Sequence, residues 1–315
     1  MPYDSQINRT DAGALIPEEV AREIIQGVPE ASTVMSLATK APNMSRKQKR
    51  IPVLSTLPTA YFVDGDTGIK QTTEQAWANK YLNAEELAVI VPIPDAVLDD
   101  ADYDIWAEVK PRLIEAIGVA FDAAVFFGTN APAAWPTDIV AAATSAGNVV
   151  ALGTGTDLYD DLLDEGGVIS LVETDDFMYS GHAAAMSMRG KYRGLRDTQG
   201  QPIFTRSMQD GNKYDLDGDP IYFPRNGAFD ASAALQISGD FKQVIYAMRQ
   251  DITWKILDQA VITDDSNNII LNLAQQDMVA LRCVVRLAWQ VPNPINRLQA
   301  VEANRYPLAV LTPPV

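Results

Sequence analysis

The side chains able to do chemistry are few, and their surroundings argue against using them for it. A single histidine, His182, stands in Tyr179-Ser180-Gly181-His182-Ala183, at the expected entrance to a helix. Serine, cysteine and zinc chemistries mostly take histidine as base or ligand, and one histidine without a second cannot complete a zinc site. His182 therefore reads as a surface or capping residue. The single cysteine, Cys283, excludes an internal disulfide and a multi-cysteine metal site. It belongs to the alternating series Val279, Leu281, Cys283, Val285, Leu287, which puts it on an apolar strand face as packing. Asp215, Asp217 and Asp219 have the spacing that opens a calcium loop. Its sixth position holds Pro220 instead of glycine and its twelfth Asn226 instead of an acid, so a hairpin turn is the reading. The 41 acids offer pairs for a carboxylate-based hydrolase, but no motif gathers a pair in a cleft, and surface carboxylates are the default in an acidic chain. No catalytic residue, cofactor or metal site is expected.

The elements that would have to position such residues describe a different kind of protein. From Pro52 to Pro92 the apolar groups Ile51, Val53, Leu54, Leu57, then Tyr61, Phe62, Val63, then Leu82, Leu87, Val89, Ile90 and Val91 flank the turn signal Asp64-Gly65-Asp66-Thr67-Gly68. They read as the two sides of a long hairpin. An isolated ribbon is marginal in water, so it must lean on something else, and a second copy of the chain is the expected support. Ahead of it, Pro17–Ile25 has the proline and first-turn acids of a helix start, within an otherwise extended arm. The arm ends in the only dense basic cluster, Arg46, Lys47, Lys49 and Arg50. Four charges without interleaved aromatics fit a clamp on an acidic neighbouring copy at least as well as nucleic acid.

Beyond the hairpin, Ile105, Val109, Leu113, Ile117, Phe121 and Val125 fall four apart, predicting a helix over Asp99–Gly128 that Pro111 should kink or split. Thr129 to Asp240 is mixed, with helix candidates at Thr156–Leu163 and Ala183–Leu195 and a short strand at Pro202–Phe204. Val244 to Ile256 and Val279 to Val291 alternate as strands, and thirteen extended residues span about 43 Å. The formal net charge of -16 and a pI near 4.4 argue against a phosphate-gripping basic face. No run nears the roughly twenty apolar residues of a membrane helix, and Met1–Thr10 lacks a signal-peptide core, which places the chain in the cytoplasm of the cell that makes it.

In this order the elements resemble the major capsid proteins of tailed bacteriophages, over nearly the whole chain. The resemblance is carried by Phe121-Asp122-Ala123-Ala124-Val125-Phe126-Phe127-Gly128, by Met188 through Phe204, by Gly239 through Ile252, and by Asp277 through Pro294. It implies an α+β fold of the Hong Kong 97 type, with a long spine helix, long antiparallel strands, an extended hairpin loop and an N-terminal arm. Residues 1–48 would be the arm and 49–92 the extended loop. Residues 93–129 and 241–295 would form a peripheral domain, and 130–240 an axial domain to which 296–315 return. The implied function is structural: the subunit self-assembles as hexamers and pentamers into the icosahedral head around the genome, in the host bacterial cytoplasm. Implied partners are a separate scaffold, a portal, possible decoration proteins, and packaged DNA in weak non-specific contact. The expected contact residues between subunits are the four basic arm residues and, on the loop, Tyr61, Phe62, Asp64, Lys70, Trp77 and Lys80. Some relatives join a loop lysine to a neighbour's asparagine; Lys70 and Lys80 are available, but loop lysines are ordinarily solvated charges. An encapsulin-type shell protein, holding protein cargo within the same fold, is the alternative.

Overall fold

The computed structural model describes residues 32–63, 65, 68–100, 104–196, 199–201, 215–264 and 266–314. The helix expected at Pro17–Ile25, the loop residue Asp64 and the strand expected at Pro202–Phe204 lie outside them. The described chain opens with α1 (Thr33–Leu37), β1 (Thr39–Lys40), β2 (Gln48–Thr56), β3 (Ala76–Asn83) and β4 (Glu85–Pro94). A short helix, α2 (Asp95–Asp100), precedes the long α3 (Ile105–Phe127). Then come α4 (Ile139–Ala146), β5 (Val149–Ala151), α5 (Leu158–Leu163), α6 (Val168–Thr174), β6 (Gly181–Ala184) and α7 (Met188–Gly194). Strands dominate the rest: β7 (Asp215–Leu216), β8 (Asp219–Tyr222), β9 (Gln236–Gly239), β10 (Ile245–Leu257), β11 (Val261–Thr263), β12 (Ile269–Asn272), β13 (Met278–Gln290) and β14 (Leu308–Thr312).

α3 starts where Asp104 accepts hydrogen bonds from the amides of Trp106 and Ala107, at 3.0 and 3.3 Å, and stops at Gly128, whose φ of 67° suits glycine. Leu113, Ile117, Phe121 and Val125 are buried, as their spacing predicts. Of the two outcomes expected at Pro111, the split does not occur, and the helix runs on through it. The carbonyl it deprives of a partner belongs to Ala107, which is exposed, so water can serve it.

Two sheets carry the two main cores. The first has strand order β1-β10-β13-β4, and Leu281, Cys283, Val285, Leu287 and Trp289 on one face of β13 join the α3 stripe in a single cluster. The second has order β5-β14-β9-β6-β8-β7, with Leu158, Leu162, Val168, Val172 and Met188 from the helices packed against it. Both thirteen-residue strands are as long as the alternation predicted, and they pair antiparallel from Ile245 opposite Gln290 to Leu257 opposite Ala280.

Three expectations need correction. The ribbon does not continue to residue 92, because β4 leaves it and pairs with β13 from Glu85–Leu287 to Pro94–Met278. Leu87, Val89 and Val91 pack against the first core, a burial the ribbon could not offer. The helix expected from Ala183 begins only at Met188, since Gly181–Ala184 is a strand between β8 and β9. His182 is consequently in a core and not at the surface, with 0% of its area exposed.

Candidate assembly surfaces

Among the described residues β2 and β3 pair as strands only with each other, with Gln48 opposite Asn83 and Leu54 opposite Trp77. The pleat gives the ribbon two unlike faces. Val53 and Leu82 on the inner face are buried, and that face leans on the chain's own segment 293–302, not solely on another copy. The Ile295 amide donates to the Leu54 carbonyl at 3.3 Å, Arg297 donates to the Pro58 carbonyl at 3.0 Å, and Lys80 forms an ion pair with Glu302. At the base, the Trp135 indole donates to the Asn83 carbonyl at 3.0 Å and the Gln290 amide to the Tyr81 carbonyl at 3.1 Å. The other face, Arg50, Pro52, Trp77, Asn79 and Tyr81, is exposed.

Past Thr56 the loop keeps its apolar groups in water. Phe62 is 105% exposed, Ile69 87%, Trp77 66%. Its two sides are held together by Thr59 N to Thr73 Oγ1 at 2.9 Å and Tyr61 Oη to the Thr72 carbonyl at 3.1 Å. Lys70 is exposed beside them. Of the basic cluster, Arg46 and Arg50 are exposed and Lys49 is half-buried, while Lys47 pairs with Glu85 of its own chain at 3.2 Å. Lys47 and Lys80 are thus engaged within the subunit.

Residues 32–34 are anchored by an acid to which the sequence assigned no role of its own. Asp122, fully buried in α3, accepts from Ser32 Oγ, from the Thr33 and Val34 amides at 2.8 and 3.1 Å, and from Asn226 Nδ2 at 2.9 Å. Burial raises its pKa, and these hydrogen bonds oppose the rise. The only signal in the sequence was an acid beside Phe121 in the buried stripe.

Nothing in these surfaces is arranged for catalysis. A groove of about 630 Å³ runs between α3 and β4, lined by Leu87, Ala116, Val119, Ala120 and Leu287. Its carboxylates are spoken for: Glu85 by Lys47, Glu86 by Arg286 and Glu115 by Arg112. His182 has no well-formed hydrogen bond on either ring nitrogen, and burial lowers its pKa to about 4, against the opposing influence of the Leu216 backbone and Asp217. Asp217 and Gly218, with φ of 49° and 90°, make the tight turn between β7 and β8, so the three-aspartate run is a hairpin as read. Among the described residues no group of acids, histidine and cysteine could hold a metal ion.

The subunit closes two main cores yet holds bulky apolar groups in water on a ribbon fastened at its base and along segment 293–302. A model of the phage capsid family matches residues 12–299. The chain is 28% identical to the major capsid protein of Staphylococcus phage 80alpha over 307 residues, covering 96% of this chain and 90% of that one. A solved structure from Microbacterium phage Oxtober96 superposes with a TM-score of 0.84 at 35% identity, covering 98% of this chain and 100% of the other. One from Mycobacterium phage Cain gives 0.84 at 33% identity, covering 99% of both. The chain belongs to the phage capsid family. Its fold is of the Hong Kong 97 type, and its role is structural, not enzymatic.

Proposed function

We infer that this major capsid protein of a tailed phage builds an icosahedral head, as hexamers and pentamers, around a double-stranded DNA genome. The exposed loop around Phe62 carries this reading, because so much apolar area in water has its use where a neighbour covers it. Each subunit lays its arm and ribbon over adjacent copies, with Arg46, Lys49 and Arg50 and the residues Tyr61, Phe62, Lys70 and Trp77 as contacts. The four-stranded sheet with α3 serves as the peripheral domain, and the six-stranded sheet as the axial domain around the five- and six-fold axes. Assembly takes place in the host bacterial cytoplasm, with a separate scaffold, a portal and decoration proteins as further partners. Packaged DNA makes weak, non-specific contact.

The test replaces residues 57–75 by a short Gly/Ser linker, which spares β2, β3 and β4. The expected outcome is a soluble chain with a cooperative thermal transition that forms no closed shells in negative-stain microscopy. Shells of wild-type diameter from the linker variant would remove the proposed role of the loop.

A further inference from the structure

The face of the four-stranded sheet turned away from α3 is covered at one end, where Met44, Leu82 and Ala84 pack on Ala247 and Ala288. Further along, the register sets Thr253 beside Val284 and Ala88, then Lys255 beside Arg282 and Ile90. Thr253, Lys255, Ala88 and Ile90 are exposed. Two like charges thus stand directly opposite each other across β10 and β13, an arrangement that destabilises a sheet left to itself. Neither Lys255 nor Arg282 forms a salt bridge among the described residues, and Arg282 Nε is buried without a hydrogen bond. The next cation on this face, Arg286, is tied to Glu86. In a chain of net charge -16, this is a cationic patch.

The opposite charge waits at the end of the same sheet. α2 carries Asp95, Asp99 and Asp100, has no basic residue in its last turn and buries none of its residues; Val97 is 48% exposed. The Asp95 amide bonds the Asp277 carbonyl at 2.9 Å. So short a helix gains little from its own backbone and normally depends on packing. Within one copy its carboxylates form no salt bridge with either cation among the described residues. Asp95 lies five strand positions past Ile90, about 17 Å away along an extended strand.

We propose that α2 of one copy docks on the Lys255–Arg282 patch of a second copy. Asp99 and Asp100 neutralise the two cations, and Val97 covers Ile90. The proposal rests on the shell-subunit reading: since every copy carries both patches, each subunit is donor and acceptor in a contact that repeats over the shell.

The test is a charge swap in DNA-free protein, read as the concentration giving half-maximal shell formation by sedimentation. Lys255→Glu with Arg282→Glu, and separately Asp99→Lys with Asp100→Lys, should each raise that concentration about tenfold, and the four changes together should return it to within about threefold of wild type. Lys255→Gln with Arg282→Gln stands in should the Glu pair misfold, with a rise of about threefold expected. A combined variant no better than its parents, all with the wild-type thermal transition, overturns the docking. So does a Lys255/Arg282 variant that assembles normally but packages less genome, which would give the patch to nucleic acid. Wild-type protein that forms no shells even when co-expressed with the phage's other head proteins overturns the shell reading itself, whereas shell-forming wild type with indifferent swaps overturns the docking alone.

Discussion

Asp122 exchanges water for four donors, two of them the backbone amides of Thr33 and Val34, and so fastens the start of α1 to α3. Asp122→Ala leaves those donors buried without a partner, and we expect a loss of about 2–4 kcal/mol with early proteolysis near residues 33–40. Thermal unfolding and limited proteolysis check it. His182 gives a pH signature. The unfolded chain takes up a proton near the ordinary pH of about 6.5, but the folded site does so only near 4, so acid favours unfolding across that window. Between pH 7 and pH 5 the fold should lose about 2 kcal/mol on this account, and His182→Leu should remove that part of the slope in a pH series of unfolding midpoints. Cys283 was legible in the sequence because alternation alone buries it. His182 was not, because Gly181–Ala185 is a run of small residues with no alternation, and only pairing with the distant β8 and β9 decides its state.

At the scale of elements, the ribbon's inner face is fastened by the Lys80–Glu302 pair and by two hydrogen bonds from segment 293–302. A partly exposed pair contributes about 1 kcal/mol or less to stability, but it governs a hinge. Lys80→Ala should leave the unfolding midpoint nearly unchanged while amides of 48–56 and 76–83 exchange deuterium faster, measured by mass spectrometry; unchanged exchange would show the fastening is idle. The long strands could be read from their period, and α3 from its stripe. The end of the ribbon could not. Alternation runs from β3 through Ala84 into β4 almost unbroken, and nothing local says that the pairing partner changes there from β2 to β13.

For the whole molecule, the described residues leave Phe62, Ile69 and Trp77 in water, the kind of apolar surface that the proposed neighbours would cover. Between strongly acidic copies, Arg46 and Arg50 are the exposed cations on which the proposed clamp relies. Reversing both to glutamate should raise the concentration needed for assembly, most at low ionic strength, where the Debye length of about 30 Å at 0.01 M leaves charges unscreened. Light scattering across a salt series on DNA-free protein reads this, and a mutant that assembles like wild type at every salt would exclude the clamp. The shell architecture was legible because element order survives in sequence. That Lys47 and Lys80 are paired within the subunit was not, since both look like free charges until their partners Glu85 and Glu302, the latter more than two hundred positions away, are brought to them.

The place of β14 has a consequence for synthesis. It lies between β5 and β9, and among the described residues β5 has no other strand partner, so the six-stranded sheet cannot close until residues 308–312 emerge. The roughly seventy residues from β9 to β14 take about 3–14 s at 5–20 residues per second on a ribosome. During that interval the nascent chain has its ribbon and spine helix but an open second sheet. A chain interrupted before β14 lacks the strand that joins β5 to β9 and should be cut faster in limited proteolysis than the full chain.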